Sequence, residues 1–328
     1  PETEEQLDGW ERYCGFVAES YKDYLKEFEV WNEYNINGFN KTGASPENYV
    51  EMTKRARRAV LEHIPDATIV GGGLAQADIT YLRRILEAGV YDYVDAFSCH
   101  PYDWSGRFRN QTFVDDMREF RSAIDEYGGN KPIYLTELGL TDATMDTAGV
   151  STEEKAAGII QIYSLMLGEN LADKWWWYDL IKSSIDETAR ESNWGLIKNR
   201  ANETPYAATP AFVVMANMNY ELTGATPNGS ILYEDDTECR AYRFKTRDNK
   251  DIVTAWSALE PKNVSFNLGC DQVDVYDMYG NHIETIHGDN GIYTFTLTKE
   301  PIYIKGNMGA FEKAGNVISV EYPSYGAM

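Results

Sequence analysis

The sequence predicts an α/β fold built on parallel strands, followed by a smaller all-β domain. Up to Gly224, short apolar runs alternate with amphipathic helical segments, a pattern typical of βαβ units in a parallel sheet. The runs are apolar at successive positions, as strands covered on both faces require. After Gly224 the pattern changes to short alternating runs separated by turn residues, which favours antiparallel strands.

The elements of the first region follow in order along the chain. The predicted strands are FEVWNE (28–33), ATIVGGGLA (67–75), DAFSCHPYD (95–103), PIYLTELGL (132–140) and KWWWYDLI (174–181). The predicted helices cover 4–26, 46–63, 79–88, 113–127, 151–170 and 207–221. The first helix has apolar residues at a spacing of three and four, among them Trp10 and Tyr21. The second begins at Ser45-Pro46, with proline at the first helical position, and the third ends at Gly89.

The second region is predicted to form a β-sandwich. Its strands are AYRFKT, DIVTAWSA, VSFNL, QVDVYDMYG, YTFTLT and PIYIKG, with turns at 248–249, 279–281 and 289–291. The sequence therefore predicts a parallel α/β domain over 1–224, a sandwich over 225–310 and an irregular tail over 311–328.

Composition excludes several classes of partner. The chain has 328 residues, with 30 basic and 52 acidic side chains and a formal net charge of −22. This charge repels phosphate backbones and anionic lipid, so neither nucleic acid nor a membrane surface is an expected partner. No apolar run approaches the roughly 18 residues of a membrane-spanning helix. The four cysteines are widely spaced, so we expect free thiols, no metal site and no cofactor.

Two glutamates lie at the carboxyl ends of predicted strands, Glu33 in VWNE and Glu137 in LTE. In α/β barrels, this end of the strands carries the active site. Glycoside hydrolysis requires a facing pair of carboxylates: one protonates the leaving oxygen, and the other attacks the anomeric carbon or activates water. For either glutamate alone, a solvated surface side chain is the simpler interpretation, because the chain has 52 acidic residues.

The residues around these glutamates carry a family resemblance. The motifs are Trp31-Asn32-Glu33, His100-Pro101-Tyr102 and Thr136-Glu137. With YVEMTKRARRAV, DATIVGGGLA, WWWYD and NWGLI in the same order, the chain resembles the retaining glycosidases of clan A, and most closely those of family 39. The resemblance implies a (β/α)8 TIM-type barrel with an accessory β-sandwich. It also implies a retaining glycoside hydrolase that cleaves β-linked glycosides by double displacement, with an oligosaccharide, a polysaccharide or a small β-glycoside as substrate.

The resemblance also assigns roles to individual residues. Glu33 would be the general acid/base and Glu137 the nucleophile. Asn32 would bond the sugar 2-hydroxyl, an interaction that strengthens in the transition state. Tyr102 or His100 would hydrogen-bond Glu137 and keep it ionised, while Glu33 stays protonated in a drier setting.

Two of these assignments have structural alternatives. His100 could be a core histidine bonded to the backbone. Trp177, at the end of the fifth strand, would form the floor of the sugar pocket. Strand alternation puts Trp175 and Trp177 on one face and Trp176 on the other, so at least one of these rings belongs to the core.

The sequence departs from the complete barrel in the number of strands. Five parallel strands precede the β-rich region, whereas a barrel of this class has eight in about 250 residues. The chain could be cut from a longer protein, could be completed by a partner polypeptide, or could associate with copies of itself. We expect a homo-oligomer that buries the open side of the barrel, with the contact on the first helix at Trp10, Tyr13 and Tyr21.

Two other function classes remain as alternatives. The chain could be a catalytically inactive carbohydrate-binding or assembly protein derived from such a hydrolase. A metal-dependent enzyme is disfavoured, because only His100, among four histidines, lies at a strand end.

Overall fold

The structure, a computed structural model, describes residues 1–43, 45–104, 110–233, 236–309 and 317–321. The chain divides into two compact units. The parallel unit comprises Pro1–Tyr102, Asp115–Leu138 and Ala172–Trp177, and the sandwich unit comprises Asp103–Val114, Gly139–Leu171 and Tyr178–Met328. The predicted domain boundaries stay predictions. Within the described residues, no helix combines the length and apolar character needed to cross a bilayer.

The parallel unit is built on a five-stranded parallel sheet with the order β1-β2-β3-β4-β5. The strands are β1 Glu27–Glu29, β2 Thr68–Ala75, β3 Ala96–His100, β4 Ile133–Leu138 and β5 Lys174–Trp177. The helices up to β4 are α1 Glu4–Tyr21, α2 Pro46–His63, α3 Ile79–Glu87 and α4 Asn110–Asp125. The sheet curls into a half-barrel, which confirms the predicted incomplete TIM-type barrel with five parallel strands.

Side-chain caps fix where these helices begin. Thr3 and Gln6 form a reciprocal capping box at α1. Ser45 caps α2 by accepting from the backbone of the third helical residue, and Pro46 occupies the first helical position. Gly89 has φ of 92° and follows the end of α3 in the left-handed region, where a side chain would add strain.

Several elements of the parallel unit are shorter than predicted, and the reasons are clear for α1 and β1. Helix α1 ends at Tyr21, because the amides of Tyr24 and Leu25 both turn back to the Tyr21 carbonyl. The Tyr24 and Leu25 side chains are both exposed, so the apolar spacing at this end of the predicted helix does not mark a buried face. Strand β1 ends at Glu29, because the backbone turns sharply at Trp31, where φ is 68°.

The register assigns the strand residues to two faces. Cys99 of β3 contacts Met117 of α4, so the odd-numbered residues of β3 face the helices. On the concave face, Val70, Ala96 and Tyr134 form a small apolar cluster. Because paired residues of neighbouring strands share a face, the concave face also carries Glu29, Ser98 and Lys174, which pair with members of this cluster. The inside of the half-barrel is therefore partly polar.

The sandwich unit contains two antiparallel sheets. Its strands are β6 Thr226–Tyr233, β7 Asp236–Lys245, β8 Asp251–Ser257, β9 Lys262–Asn267, β10 Gln272–Tyr276, β11 His282–His287, β12 Ile292–Leu297, β13 Ile302–Gly306 and β14 Val317–Glu321. Six strands pair in the order β11-β10-β13-β8-β7-β6, and three in the order β12-β9-β14. One apolar core unites both sheets, with Val253 from the larger sheet and Phe266 from the smaller. The predicted C-terminal sandwich is confirmed.

Three strands were not predicted. Strand β6 contains Pro227 and Gly229, and its register with β7 shifts at this point. Strand β11 is exposed along nearly its whole length and has no apolar alternation to mark it. Strand β14 lies inside the segment predicted to be irregular and pairs with β9.

Two helices belong to the sandwich unit, α5 Thr152–Gly168 and α6 Pro210–Leu222. Helix α5 contacts the larger sheet, where the Ser164 and Thr254 hydroxyls lie 2.9 Å apart. A Cβ on Gly168 would come within 2.3 Å of the Tyr242 ring, so glycine allows this close approach.

Candidate active site

The loop after β1 positions the first glutamate. Glu33 has φ of 46° and Trp31 has φ of 68°, both in the left-handed region that non-glycine residues seldom adopt. The Glu33 amide donates to the Gly73 carbonyl at 2.7 Å, and the Val30 amide donates to the Val70 carbonyl at 2.9 Å. These bonds hold the turn against β2. Backbone strain of this kind persists where the surrounding structure fixes it, and it concentrates at functional sites.

Glycines in β2 let this strand bulge beside the turn. Gly72 has φ of 106°, and a Cβ there would lie 2.5 Å from the Ser98 carbonyl oxygen. The register between β2 and β3 shifts between Gly71 and Leu74. The triple glycine therefore serves close backbone packing at the carboxyl end of the sheet.

The second glutamate, Glu137, lies near the end of β4, where the register with β5 is irregular. The Tyr102 hydroxyl donates to Glu137 Oε2 at 3.1 Å. Burial raises the pKa of Glu137 above the ordinary value of a glutamate, while the Tyr102 hydrogen bond acts in the opposite direction. The net direction is upward, so this bond limits the rise without reversing it.

His100, which is fully buried, lies between the two glutamates. Its Nδ1 is 2.9 Å from Glu33 Oε1 and 3.7 Å from Glu137 Oε2. Its Nε2 is 3.1 Å from Thr136 Oγ1. The histidine is therefore bonded to side chains, not to the backbone as the simpler interpretation had it. Of the two glutamate side chains, Glu33 is the less exposed, at 15% against 31% for Glu137.

A third carboxylate lies below this group on the concave face. Glu29 Oε1 accepts from the Ser98 hydroxyl at 2.5 Å and from the Thr136 hydroxyl at 2.7 Å. Ser98 in turn accepts from the Gly73 amide at 2.8 Å. Thr136 contacts both Glu29 and His100, so it links this carboxylate to the upper group.

The structure brings four of the six predicted site residues into one contact group: Glu33, Glu137, His100 and Tyr102. Asn32 lies half-buried in the turn before Glu33. Trp177 pairs with Leu138 at the end of β5, and its ring packs 5.7 Å from that of Trp175, whereas Lys174 and Trp176 face Tyr134 on the concave side. Trp176 is therefore the ring beside Tyr134 on the concave face, and Trp177 packs with Trp175.

Sequence reasoning missed Glu29, Ser98 and Thr136 as parts of the site. Ser98 lies two strand positions from His100 on the same face of the sheet, Thr136 lies next to Glu137, and Glu29 ends the strand that precedes Glu33. The period of two along each strand was the available signal. It identifies partners only after the register between strands is known.

The two glutamates and His100 also form the group of carboxylate and imidazole side chains closest to a metal-site arrangement in the described parts of the chain. Their nearest oxygen and nitrogen atoms lie within 4.8 Å of one another. His100 Nδ1 is already engaged by Glu33 at hydrogen-bond distance. We therefore interpret the group as a hydrogen-bonded acid–base network.

No protein-family model matches the chain, and no curated protein matches it significantly. Solved structures do share its fold. A family 39 glycoside hydrolase from the gut symbiont Bacteroides cellulosilyticus is 20% identical, with a TM-score of 0.75 over 93% of this chain. A family 39 β-xylosidase from Caulobacter crescentus is 16% identical, with a TM-score of 0.61 over 91% of this chain and 72% of its own.

The similarity extends to a further family. A family 51 arabinofuranosidase from Xanthomonas axonopodis is 12% identical, with a TM-score of 0.64 over 85% of this chain and 66% of its own. The chain spans 63% of the length of the Bacteroides protein. These comparisons show that the chain has the fold of clan A glycoside hydrolases, with five of the parallel strands.

Proposed function

We propose that the chain is a retaining glycoside hydrolase that cleaves β-linked glycosides, with Glu33 as general acid/base and Glu137 as nucleophile. The observation that carries the proposal is the pairing of these glutamates around one buried histidine at the carboxyl end of the sheet. The fold shared with family 39 and family 51 enzymes supports it.

The spacing of the carboxylates favours retention over inversion. The nearest oxygens of Glu33 and Glu137 lie within 4.8 Å of each other. Retaining enzymes hold their two carboxyl groups about 5–5.5 Å apart, whereas inverting enzymes leave roughly 6.5–9.5 Å for a water molecule. Direct attack by a carboxylate is therefore the chemistry that this spacing supports.

In the first step, a Glu137 oxygen attacks the anomeric carbon while the bond to the leaving oxygen breaks and Glu33 donates its proton to that oxygen. In the second step, Glu33 takes a proton from water, the water oxygen bonds to the anomeric carbon, and the bond to Glu137 breaks. Asn32, beside Glu33, is the residue that we expect to bond the sugar 2-hydroxyl. The raised pKa of Glu137 makes its carboxylate the better nucleophile in the first step and the poorer leaving group in the second, and it leaves less of the side chain ionised at low pH.

The substrate class is a neutral sugar in β linkage, because a net charge of −22 disfavours anionic substrates. The structural neighbours act on different sugars by their descriptions, including a xylosidase, an arabinofuranosidase and a glucosidase. A panel of aryl β-glycosides is therefore the appropriate assay.

The deciding experiment compares the wild-type chain with Glu33→Ala, Glu137→Ala and the exposed-site control Glu62→Ala on this panel. Loss of a positioned acid or base costs roughly 10²–10⁴-fold, so both site variants should lose at least that much in kcat/KM. The control should match the wild type. Equal activity of all four proteins would overturn the proposal.

The half-barrel favours one alternative, a carbohydrate-binding protein without catalysis, because the parallel sheet of the described residues has five strands and a complete barrel has eight. Calorimetry with xylo-, gluco- and galacto-oligosaccharides separates the two. Binding by the wild type without turnover of any aryl glycoside would favour the alternative.

We also propose that the chain forms a homo-oligomer that covers the edges of the half-barrel. In the structure, Tyr13 and Tyr21 of α1 are exposed, whereas Trp10 donates to the Met52 carbonyl at 3.0 Å and packs on Trp31. The exposed part of α1 is therefore the candidate contact, and Trp10 lies half-buried at its edge.

A further inference from the structure

The hydrogen-bond directions below the two glutamates are set by Glu29. Carboxylate oxygens accept hydrogen bonds, so the Ser98 and Thr136 hydroxyls both donate to Glu29 Oε1, at 2.5 Å and 2.7 Å. Ser98 has its own donor in the Gly73 amide, at 2.8 Å. Each hydroxyl carries one proton, and each proton is thereby used.

The orientation of the Thr136 hydroxyl determines which nitrogen of His100 carries a hydrogen. Its hydroxyl proton points to Glu29, so its oxygen can only accept from His100 Nε2, 3.1 Å away. His100 Nε2 therefore carries a hydrogen. In a neutral imidazole the other nitrogen is then an acceptor.

The acceptor nitrogen faces Glu33. His100 Nδ1 and Glu33 Oε1 are 2.9 Å apart, which requires one proton between them. With a neutral histidine, that proton belongs to the Glu33 carboxyl. This protonation state is the one that a general acid needs before the first step.

We propose that Glu29 is a positioning residue that acts through Thr136 to hold His100 as the Nε2–H tautomer, so that the Nδ1 lone pair faces Glu33. The inference rests on the function proposed above and adds a residue that touches neither the sugar nor the reacting atoms. In the first step, the arrangement favours a protonated Glu33. After Glu33 has given up its proton, its carboxylate faces a lone pair and becomes the stronger base toward water.

The other titratable groups around this pair come from several elements. Strand β4 contributes Glu137, 3.7 Å from His100 Nδ1, and the Tyr102 hydroxyl after β3 is bonded to Glu137. At a lower level of the concave face, Glu27 of β1 pairs with Lys174 of β5. Asp78, which precedes α3, is bonded to the Asn35 side chain. Glu29 differs from these groups because it is linked to His100 by the Thr136 hydroxyl, which donates to Glu29 and therefore accepts from His100 Nε2.

Two variants break the link. Glu29→Ala frees the Thr136 proton for His100 Nε2, and Thr136→Val removes the hydroxyl altogether. Glu29 is exposed on the concave face, so its truncation should not prevent folding. Thr136→Ser keeps the hydroxyl and should behave as the wild type. Tyr134→Phe is the matched control, because it removes the other hydroxyl on β4 that bonds a β1 carboxylate, Glu27 at 3.3 Å, and leaves His100 untouched.

The first readout is independent of activity. With ¹⁵N-labelled histidine, two-bond ¹⁵N–¹H correlations distinguish the two imidazole tautomers, and a His100→Gln sample assigns the His100 signals among the four histidines. We expect the Nε2–H pattern in the wild type, Thr136→Ser and Tyr134→Phe. We expect the Nδ1–H pattern in Glu29→Ala and loss of the pure Nε2–H pattern in Thr136→Val. An Nδ1–H pattern in the wild type would overturn the inference, whatever its activity.

The second readout is the pH dependence of kcat/KM on a phenyl β-glycoside, whose leaving group needs protonation. In Glu29→Ala and Thr136→Val, an Nδ1–H that donates to Glu33 would stabilise its carboxylate, so the basic limb should move to lower pH. In Thr136→Ser and in Tyr134→Phe, the basic limb should lie at the same pH as in the wild type. A basic limb that is the same in all five proteins would overturn the inference. An Nε2–H wild type without any turnover would instead count against the proposed function alone.

Discussion

Glu27 and Lys174 form an ion pair that joins the first and the last strand of the parallel sheet across its concave face. The two residues are separated by 147 positions in the sequence. Tyr134, on the strand beside Lys174, donates to Glu27 at 3.3 Å, and the Lys174 ammonium lies 4.6 Å from its ring centre. Side chains of the two edge strands therefore meet inside the half-barrel, although the strands are not hydrogen-bonded to each other.

This pair bridges the concave face between the two edge strands of the five-stranded sheet. In a closed barrel, the missing strands would cover the edges and complete the interior. Here charged and aromatic side chains occupy the lower part of the concave face. The upper part carries Glu29, Thr136 and the candidate catalytic group, so the functional end does not depend on the Glu27–Lys174 contact directly.

Azide should reveal the separate roles of the two glutamates. In Glu33→Ala, a dinitrophenyl glycoside should still glycosylate Glu137, because its leaving group needs no proton. Azide, which needs no general base, should then give a β-glycosyl azide. In Glu137→Ala, azide can take the place of the nucleophile and should give the α anomer.

Proton NMR of the products distinguishes these anomers. The wild type with added azide is the control, since its general base favours water. The same anomer from both variants would contradict the assigned roles.

Tyr102→Phe should move the acidic limb of kcat/KM to higher pH. Burial raises the pKa of Glu137, and the Tyr102 hydrogen bond is one of the effects that hold it down. Without that bond, more of Glu137 is protonated at a given acidic pH, and a protonated carboxyl is no nucleophile. Because neutral pH favours the anion, activity there should fall less than at low pH. Rates measured across the acidic range on one aryl glycoside test this, and an acidic limb at the wild-type position would contradict it.

The sequence located the two glutamates because strand ends are a local property. An apolar run that stops at Glu33 or Glu137 marks the carboxyl end of a strand, and parallel strands bring such ends together. His100 also ends a predicted strand, whereas the expected place of His100 and Tyr102 beside Glu137 came from the resemblance to family 39. What the sequence could not supply was the face on which each residue lies.

Register between strands decides that face, and register is a long-range property. Trp177 was expected in the sugar pocket, and its face depends on the register of β5 with β4, which shifts between Leu135 and Leu138. From the sequence alone, Glu29 is an ordinary exposed strand residue. The structure shows that the Thr136 hydroxyl of β4 donates to its carboxylate. Strand β11 was not predicted for a related reason. Its side chains are mostly exposed and show no alternation, and its pairing with β10 is what stabilises it.

Lys155→Met should destabilise the sandwich unit by about 1–3 kcal/mol, the cost of leaving buried hydrogen-bond acceptors unsatisfied, because Lys182 still pairs with Asp142. The Lys155 ammonium is buried and lies 3.2 Å from Asp142 Oδ1, 2.7 Å from the Asn193 carbonyl and 2.9 Å from the Gly195 carbonyl. Methionine fills the same space but has no ammonium group, so the Asn193 and Gly195 carbonyls lose this donor. Chemical denaturation measures the loss, with the exposed Lys22→Met as the control.

The difference in stability between the wild type and Lys155→Met should depend on pH. Burial lowers the pKa of Lys155 to about 8. Above that pH and below the ordinary lysine value, the unfolded chain binds more protons than the folded one, so the wild type gains stability as pH rises. The variant lacks this gain, and the difference between the two proteins should grow between pH 8 and pH 10. A difference that shrinks over this range would contradict the assignment.

Light scattering should find the wild-type chain as a homo-oligomer, with a mass that is a multiple of 37.2 kDa. The exposed aromatic residues of α1 are the reason to expect the contact there: Tyr13 is 59% exposed, Phe16 67% and Tyr21 50%. Single exposed apolar residues are ordinary, but Tyr13 and Phe16 are three positions apart and share one face of α1, and exposed apolar neighbours of this kind mark interfaces. The edge strand β1 follows this helix directly, so one contact can cover both.

Phe16→Lys is the test variant, because a charge at the most exposed of these rings opposes burial without touching the core of α1. It should shift the mass to that of a monomer, while Ile283→Lys, on an exposed position of β11, should leave the oligomer intact. Circular dichroism verifies that both variants are folded. A stable wild-type monomer near 37 kDa at every accessible concentration would reject the oligomer.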